Sequence, residues 1–271
     1  MSNTFKLALC QTKAFIDKDE SMEMAAHYIN RAADNGAHII SLPEMWNCPY
    51  DNSCFREYSE PEDGDTVQFM SDLARENKIY LVGGSIPELD DDNVYNSCFV
   101  FSPDGEVIGK HRKIHLFDID VPGGIRFMES ETLSGGNNIT VVETEFCKMG
   151  VGICYDIRFP KMFNKMADNG AKLVVLPGAF NMTTGPAHWE LLVRSRALDN
   201  QLYFGACSPA RDLESSYHSF GNSMVVNPWG EICGKTDSLP SIVYSKIDLD
   251  YLDRIREQIP VSKQLKPELY D

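Results

Sequence analysis

The sequence lacks the features that would place the protein in a membrane or on a secretory route. No uninterrupted apolar run approaches the roughly 20 residues that a membrane-spanning helix needs. The first residues lead directly into a strand-like run over 5–10, without the charged, apolar and cleavage regions of a secretory leader. We therefore expect a cytoplasmic protein with no membrane partner.

Positive charge is scarce. The chain has 25 Lys and Arg side chains against 40 Asp and Glu, which gives a formal net charge of −15. A field of this sign repels nucleic acid and anionic lipid surfaces, so we expect neither as a partner. An anionic small-molecule substrate would have to be held by a locally placed cation.

Cysteine and histidine patterns typical of metal sites are also missing. The sequence has eight cysteines but no Cys-x-x-Cys pair, and His111, His115, His188 and His218 show no metal-ligand spacing. A Gly-x-Ser-x-Gly elbow for a serine nucleophile is absent too. We expect free thiols, no metal site, no disulfide framework and no cofactor.

The 271-residue sequence contains an internal repeat. Residues 34–43 (DNGAHIISLP) return as 168–177 (DNGAKLVVLP), and residues 103–110 (PDGEVIGK) return as 228–235 (PWGEICGK). In the first half, the pattern predicts strands over 5–10, 38–42 and 79–84, helices over 21–35 and 66–77, and a hairpin that turns at 103–105. In the second half, it predicts strands over 148–154, 173–176 and 202–207, helices over 160–169 and 187–200, and a hairpin that turns at 228–230.

A duplicated unit of this kind predicts two similar sheets packed face to face. Each outer face would be covered by that sheet's own two helices, which gives a four-layer α-β-β-α sandwich of the α/β class. We expect one domain over residues 1–271. The alternative is two separate three-layer domains joined near residue 130.

Four reactive side chains follow predicted strands, where functional groups of α/β proteins gather. Glu44 follows the second strand, Lys113 follows the hairpin strand, Cys154 ends the strand over 148–154, and Arg158 lies one turn further on. A carboxylate, an amine and a thiol together suit acyl transfer. The carboxylate can accept the thiol proton, and the ammonium can stabilise the oxygen of a tetrahedral intermediate.

Each of these residues also has a structural alternative. Cys154 could be a buried core cysteine, and Glu44 could be a residue at the start of a helix. Lys113 lies among other basic residues and could belong to a solvated basic face. Spacing alone does not show that the three side chains meet. The residues alone therefore indicate a cysteine amidase or acyl-transferase without deciding between them.

Three motifs resemble the signatures of the nitrilase superfamily, in that family's order. They are residues 42–44 (LPE), 111–117 (HRKIHLF) and 152–160 (GICYDIRFP), and the likeness runs from Lys6 to about Tyr270. The resemblance implies the α-β-β-α sandwich, commonly as a homodimer, and hydrolysis of carbon–nitrogen bonds. It also implies that Glu44 is the general base, Lys113 the oxyanion stabiliser and Cys154 the nucleophile, with Glu129 as a second, orienting glutamate.

Within that superfamily, residues 177–192, 208–212 and 226–231 are most similar to the omega-amidase group, whose substrates are alpha-ketoglutaramate and alpha-ketosuccinamate. The likeness implies a small amide substrate, with its remote carboxylate on Arg158 and with Phe180 and Tyr50 lining the pocket. It also implies that the tail over about 250–271 packs at a subunit interface. Asn222 stands where relatives usually have histidine, so the loop beside the substrate differs. The alternatives are a deaminated glutathione amidase, another nitrilase-type amidase and a non-catalytic thiol protein on the same fold.

Overall fold

The computed structural model describes residues 3–123 and 126–269. The ends of the predicted domain and tail, at residues 1, 2, 270 and 271, and the pair 124–125 lie outside the described residues. The first half contains strands β1 (Thr4–Gln11), β2 (Ile39–Ser41), β3 (Tyr80–Val82), β4 (Ile86–Asp90), β5 (Asn93–Phe101), β6 (Val107–Arg112), β7 (Asp118–Asp120) and β8 (Arg126–Met128). Its helices are α1 (Lys18–Asp34), α2 (Asn52–Phe55) and α3 (Asp65–Asn77).

The second half repeats the pattern and adds a C-terminal extension. Its strands are β9 (Thr140–Glu143), β10 (Lys148–Val151), β11 (Leu173–Pro177), β12 (Tyr203–Cys207), β13 (Met224–Val226), β14 (Ile232–Lys235) and β15 (Ser241–Asp248). Its helices are α4 (Pro160–Asp168), α5 (Gly185–Asn200), α6 (Leu249–Gln258) and α7 (Val261–Gln264). Short 3₁₀ helices cover Glu129–Glu131, Cys154–Arg158 and Pro267–Leu269.

The strands form two large sheets. One has the order β15-β1-β2-β3-β5-β4, with β6 paired to β5, and the other has the order β14-β13-β12-β11-β10-β9. At the centre of each sheet, three strands run parallel: β1, β2 and β3 in the first, and β10, β11 and β12 in the second. The carboxyl ends of these parallel strands therefore lie at one edge of each sheet, where a site is expected.

Alternation along β1 shows how the layers pack. Leu7 and Leu9 join a buried cluster that contains inner-face residues of the second sheet, such as Met149 and Val151. Ala8 and Cys10 point the other way, into a second cluster with side chains of α1 and α3. Helices α4 and α5 contribute Phe163 and Trp189 to the packing on the second sheet, among others. The predicted four-layer α-β-β-α sandwich is confirmed.

The two sheets approach each other closely at Gly205. A Cβ atom built on Gly205 of β12 would lie 2.9 Å from Leu7 Cδ2 of the facing sheet. A larger residue there would force the two sheets apart or push Leu7 from its rotamer. The Asn-Gly pairs of the repeat terminate two helices, since Asn35 and Asn169 are the C-cap residues of α1 and α4 and each is followed by a glycine with positive φ.

Several features differ from the prediction. Strand β4 and helix α6 were not predicted, and β15 crosses from the second half to pair antiparallel with β1 over Thr4–Gln11. The predicted strand over 148–154 ends at Val151, so Cys154 stands in a 3₁₀ turn and not on the strand. In the described part of the chain, no helix is both long and apolar enough to cross a membrane.

Candidate active site

Four reactive side chains converge beyond the strand ends. Glu44 lies in the turn after β2, Lys113 follows β6 directly, Glu129 opens the 3₁₀ helix after β8, and Cys154 opens the 3₁₀ helix after β10. Glu44, Lys113 and Glu129 have no solvent exposure, and Cys154 has 3%. Lys113 is therefore not part of a solvated basic face.

The Lys113 ammonium bridges the two glutamates. Its Nζ donates to Glu44 Oε1 at 2.9 Å and to Glu129 Oε1 at 2.9 Å. The backbone N–H of Phe117 donates to Glu129 Oε2 at 2.7 Å, which fixes the second carboxylate. Since these are the acceptors of Lys113 within the described residues and an ammonium has three N–H bonds, one N–H remains for another acceptor.

Two further donors were not predicted for Glu44. Asn96, on β5, donates from Nδ2 to Glu44 Oε1 at 2.9 Å, and the backbone N–H of Ala179 donates to Glu44 Oε2 at 2.7 Å. Tyr50 was predicted to line the substrate pocket. Its hydroxyl lies within this cluster, 2.7 Å from Glu129 Oε1 and 3.2 Å from Glu44 Oε1.

Burial and the charges of this cluster disfavour the thiolate form of Cys154. Burial raises the pKa of Cys154 well above its usual range, and the Glu44 carboxylate raises it further, although Lys113 acts in the opposite direction. Burial would lower the pKa of Lys113, but Glu129 and Glu44 outweigh it and raise that pKa. Two carboxylates and one ammonium already leave one net negative charge, so a thiolate would add a second. The thiol needs a base at the moment of attack.

The backbone at Cys154 is held in a rare conformation. Cys154 has φ of 45°, in the left-handed region that favours glycine. Gly178, at the end of β11, makes room for it, since a Cβ atom there would lie 3.2 Å from Cys154 Cα. Strained backbone of this kind is characteristic of nucleophiles presented at a sharp turn after a strand.

Asp156 joins the segment of the lysine to the segment of the cysteine. Its fully buried carboxylate accepts from the backbone N–H groups of Ile153 and His115, both at 3.0 Å. The rings of His111 and His115 contact it at 3.0 and 2.7 Å. Burial would raise the pKa of Asp156, but these histidines outweigh it and lower that pKa. Only its place beside Cys154 in the sequence could have drawn attention to this residue.

Arg158 is a cation without an acidic partner among the described residues. Its Nη2 donates to His188 Nδ1 at 3.3 Å, and its buried Nε has no hydrogen-bond partner in the part of the chain that the structure describes. The guanidinium lies 5.1 Å from the centre of the Phe180 ring and 5.6 Å from that of Tyr155. Asp156, two residues earlier in the chain, is instead in contact with the two histidines. Arg158 is thus available to an anion.

A cavity of about 810 Å³ reaches the cluster from the Glu44 side. Glu44, Tyr50 and Tyr217 line its inner part, and its lining residues also include Asp17, Glu20, Asp51, Glu57, Asp212 and Glu214. These acidic groups oppose anions, and neither Arg158 nor Phe180 is among the residues that line this cavity. Across the described residues, no three His, Cys, Asp or Glu side chains are grouped to hold a metal ion.

The arrangement suits attack on a carbonyl carbon. A neutral thiol lies beside a carboxylate that can take its proton, and an ammonium with one free N–H can meet the oxygen that becomes negative. The second carboxylate holds that ammonium in place. These are the parts of a cysteine-dependent acyl-transfer site.

Comparison with known proteins agrees with this chemistry. The family model described as carbon-nitrogen hydrolase matches residues 6–257. The chain is 53% identical over 267 residues to a Xenopus laevis protein named omega-amidase NIT2-A, covering 98% of this chain and 97% of that protein. It is 52% identical over 267 residues to human omega-amidase NIT2, with coverage of 98% and 97%.

Two solved structures share the fold. Saccharomyces cerevisiae Nit3, described as a member of branch 10 of the nitrilase superfamily, aligns with a TM-score of 0.90 and 44% identity over 96% of each chain. The Caenorhabditis elegans NitFhit protein aligns with a TM-score of 0.91 and 30% identity, covering 100% of this chain and 67% of that one.

The Asp156 junction can be tested by removing its charge. Asp156→Asn places an amide nitrogen against donors that need an acceptor, so we expect a loss of about 1–3 kcal/mol in the free energy of unfolding. Urea denaturation followed by circular dichroism measures it. Asp168→Asn, an exposed change at the end of α4, is the matched control. Equal stability of the two variants would show that the junction contributes nothing.

Proposed function

The chain belongs to the carbon–nitrogen hydrolase family, and on that premise we propose that it is an omega-amidase. It would release ammonia from monoamides of small dicarboxylic acids, such as alpha-ketoglutaramate and alpha-ketosuccinamate. The observation that carries the substrate class is Arg158, a partly buried cation without an acidic partner among the described residues and close to the cysteine in the chain. A desolvated carboxylate needs such a cation, particularly in a protein of charge −15.

We assign the first half of the reaction to Glu44, Lys113 and Cys154. Cys154 Sγ bonds to the amide carbon while Glu44 takes the thiol proton and Lys113 stabilises the negative oxygen. Glu44 then gives that proton to the amide nitrogen, the carbon–nitrogen bond breaks, and ammonia leaves. A thioester between the acyl group and Cys154 remains.

Water completes the cycle. Glu44 takes a proton from a water molecule while the water oxygen bonds to the thioester carbon, and Lys113 again stabilises the oxyanion. The carbon–sulfur bond breaks, and Glu44 returns the proton to the cysteine sulfur. Glu129 and Tyr50 hold the ammonium and the base through the bonds described above, and Phe180 packs beside the Arg158 guanidinium.

We propose that the whole chain acts as one domain and works as a homodimer in the cytoplasm. The pairing of β15 with β1 ties the second half to the first and supports one domain. On α5, Leu191 and Leu198 are 65% and 53% exposed. A cavity of about 360 Å³ joins Leu198 and Trp229 to Ile259 and Val261 of the tail, which supports a subunit interface there. The eight cysteines are free thiols, as is usual in a reducing compartment.

The nucleophile is tested by trapping the acyl-enzyme. We expect Cys154→Ala to release no ammonia from alpha-ketoglutaramate, and mass spectrometry of quenched wild type to show an acyl adduct on the peptide containing Cys154. Cys233→Ala removes an exposed thiol and should keep both signals. Turnover by Cys154→Ala, or an adduct on another cysteine, would refute the assignment.

The substrate class is tested at Arg158. We expect Arg158→Met to raise KM for alpha-ketoglutaramate by about 10- to 100-fold, the size expected for loss of a charge-assisted bond, and to affect neutral amides of similar length little. Arg75→Met, an exposed change on α3, is the control. Equal losses on charged and neutral amides would mean a structural arginine. Wild-type preference for peptide-like amides would favour the deaminated glutathione activity instead.

A further inference from the structure

The two oxygens of Glu44 differ in how many donors they already bind. Oε1 accepts from Lys113 Nζ and from Asn96 Nδ2, both at 2.9 Å, and the Tyr50 hydroxyl, whose one proton is closer to Glu129 Oε1, lies 3.2 Å away. Oε2 accepts from the backbone N–H of Ala179 alone among the described residues. A carboxylate oxygen has about two lone-pair directions, so Oε1 is saturated and Oε2 keeps acceptor capacity.

The free capacity lies on the side of the nucleophile. Ala179, which donates to Oε2, directly follows Gly178, and a Cβ atom on Gly178 would lie 3.2 Å from Cys154 Cα. The donors of Oε1 come from the other half, since Asn96 lies on β5 and Lys113 follows β6. The same carboxylate thus presents its occupied oxygen to the first sheet and its open oxygen to the cysteine segment.

Asn96 is an unusual residue for its place on β5. Its side chain is completely buried, and its Oδ1 has no hydrogen-bond partner among the described residues. The amide is not reversed, because a reversed amide would place Oδ1 against the Glu44 carboxylate. An apolar side chain of similar volume would avoid the unsatisfied carbonyl, so packing does not explain the asparagine. The hydrogen bond to Glu44 explains why an asparagine is present at this position.

We infer that Asn96 is a positioning residue for the reaction, and that Glu44 Oε2 is the atom that exchanges the proton with Cys154 and the leaving nitrogen. Asn96 holds Oε1 in place and occupies it, which directs the proton to Oε2. The backbone of Asn96 adds to this, since its carbonyl accepts from the N–H of Lys113 at 2.8 Å. The inference rests on the proposed role of Glu44 as the base.

The test replaces Asn96 with a side chain of similar volume that cannot donate. We expect Asn96→Leu to lower kcat by about 10- to 100-fold, as for the loss of one bond to a charged group, and to change KM little. Its urea midpoint should stay close to that of wild type, because removal of the unsatisfied carbonyl offsets loss of the bond to Glu44. Ser97→Ala is the matched control, since Ser97 is the next buried polar residue on β5 and bonds to Glu88 outside the cluster. It should keep wild-type kcat.

A double variant separates positioning from a general packing effect. Because Asn96 acts through Glu44, adding Asn96→Leu to Glu44→Gln should slow the residual reaction less than twofold. Independent, multiplicative losses would overturn the inference, and so would wild-type kcat in Asn96→Leu. If the leucine variant fails to fold, Asn96→Ser, too short to reach Oε1, carries the same expectation.

The assay uses whichever amide the wild type hydrolyses fastest. An error in the proposed substrate class then leaves this test intact, because a positioning role for Asn96 concerns the base and not the acid that is bound. Failure of Glu44→Gln to slow the reaction would refute the proposed function of Glu44 and, with it, this inference. A low kcat in Glu44→Gln together with wild-type kcat in Asn96→Leu would refute this inference but not the proposed function of Glu44.

Discussion

The buried ammonium of Lys113 is the interaction on which the rest of the site depends. It lies between two carboxylates, and none of the three groups is exposed to solvent. Removing such charges from water is costly unless each finds partners. The Phe117 and Ala179 amides, Asn96 and Tyr50 supply the partners of the carboxylates. The cluster is therefore specified by its surroundings as much as by its three charged members.

The sandwich explains how these groups meet. Glu44, Lys113 and Asn96 come from the first half, whereas Cys154 and Ala179 come from the second. The sheets pack closely enough that Gly205 must lack a side chain opposite Leu7. Asp156 then fixes the cysteine turn to the lysine segment. Small shifts between the halves would separate the Cys154 thiol from the Glu44 carboxylate, so the packing of the core also determines the geometry of the site.

The hydrophobic periodicity and the internal repeat of the sequence were enough to predict the sandwich and the strand ends that carry Glu44 and Lys113. They did not predict β15, which has no counterpart in the internal repeat and pairs with β1 of the first half. The positive φ of Cys154 and the burial of Lys113 depend on neighbours distant in sequence. In the sequence, Asn96 looks like any other strand residue, and its contact with Glu44 is visible only in the structure. Partners set by tertiary packing were thus beyond sequence reasoning.

The central claim is that the buried cluster keeps Cys154 as a neutral thiol and leaves its proton to Glu44. The most direct test is a titration of thiolate absorbance upward from neutral pH. The absorbance of Cys154→Ala is subtracted from that of wild type, so that the difference reports on Cys154 alone. We predict no thiolate signal at neutral pH, because burial and Glu44 both raise the pKa of Cys154. We also predict that the signal in Glu44→Gln begins at lower pH. A thiolate already present at neutral pH in the wild type would contradict the account.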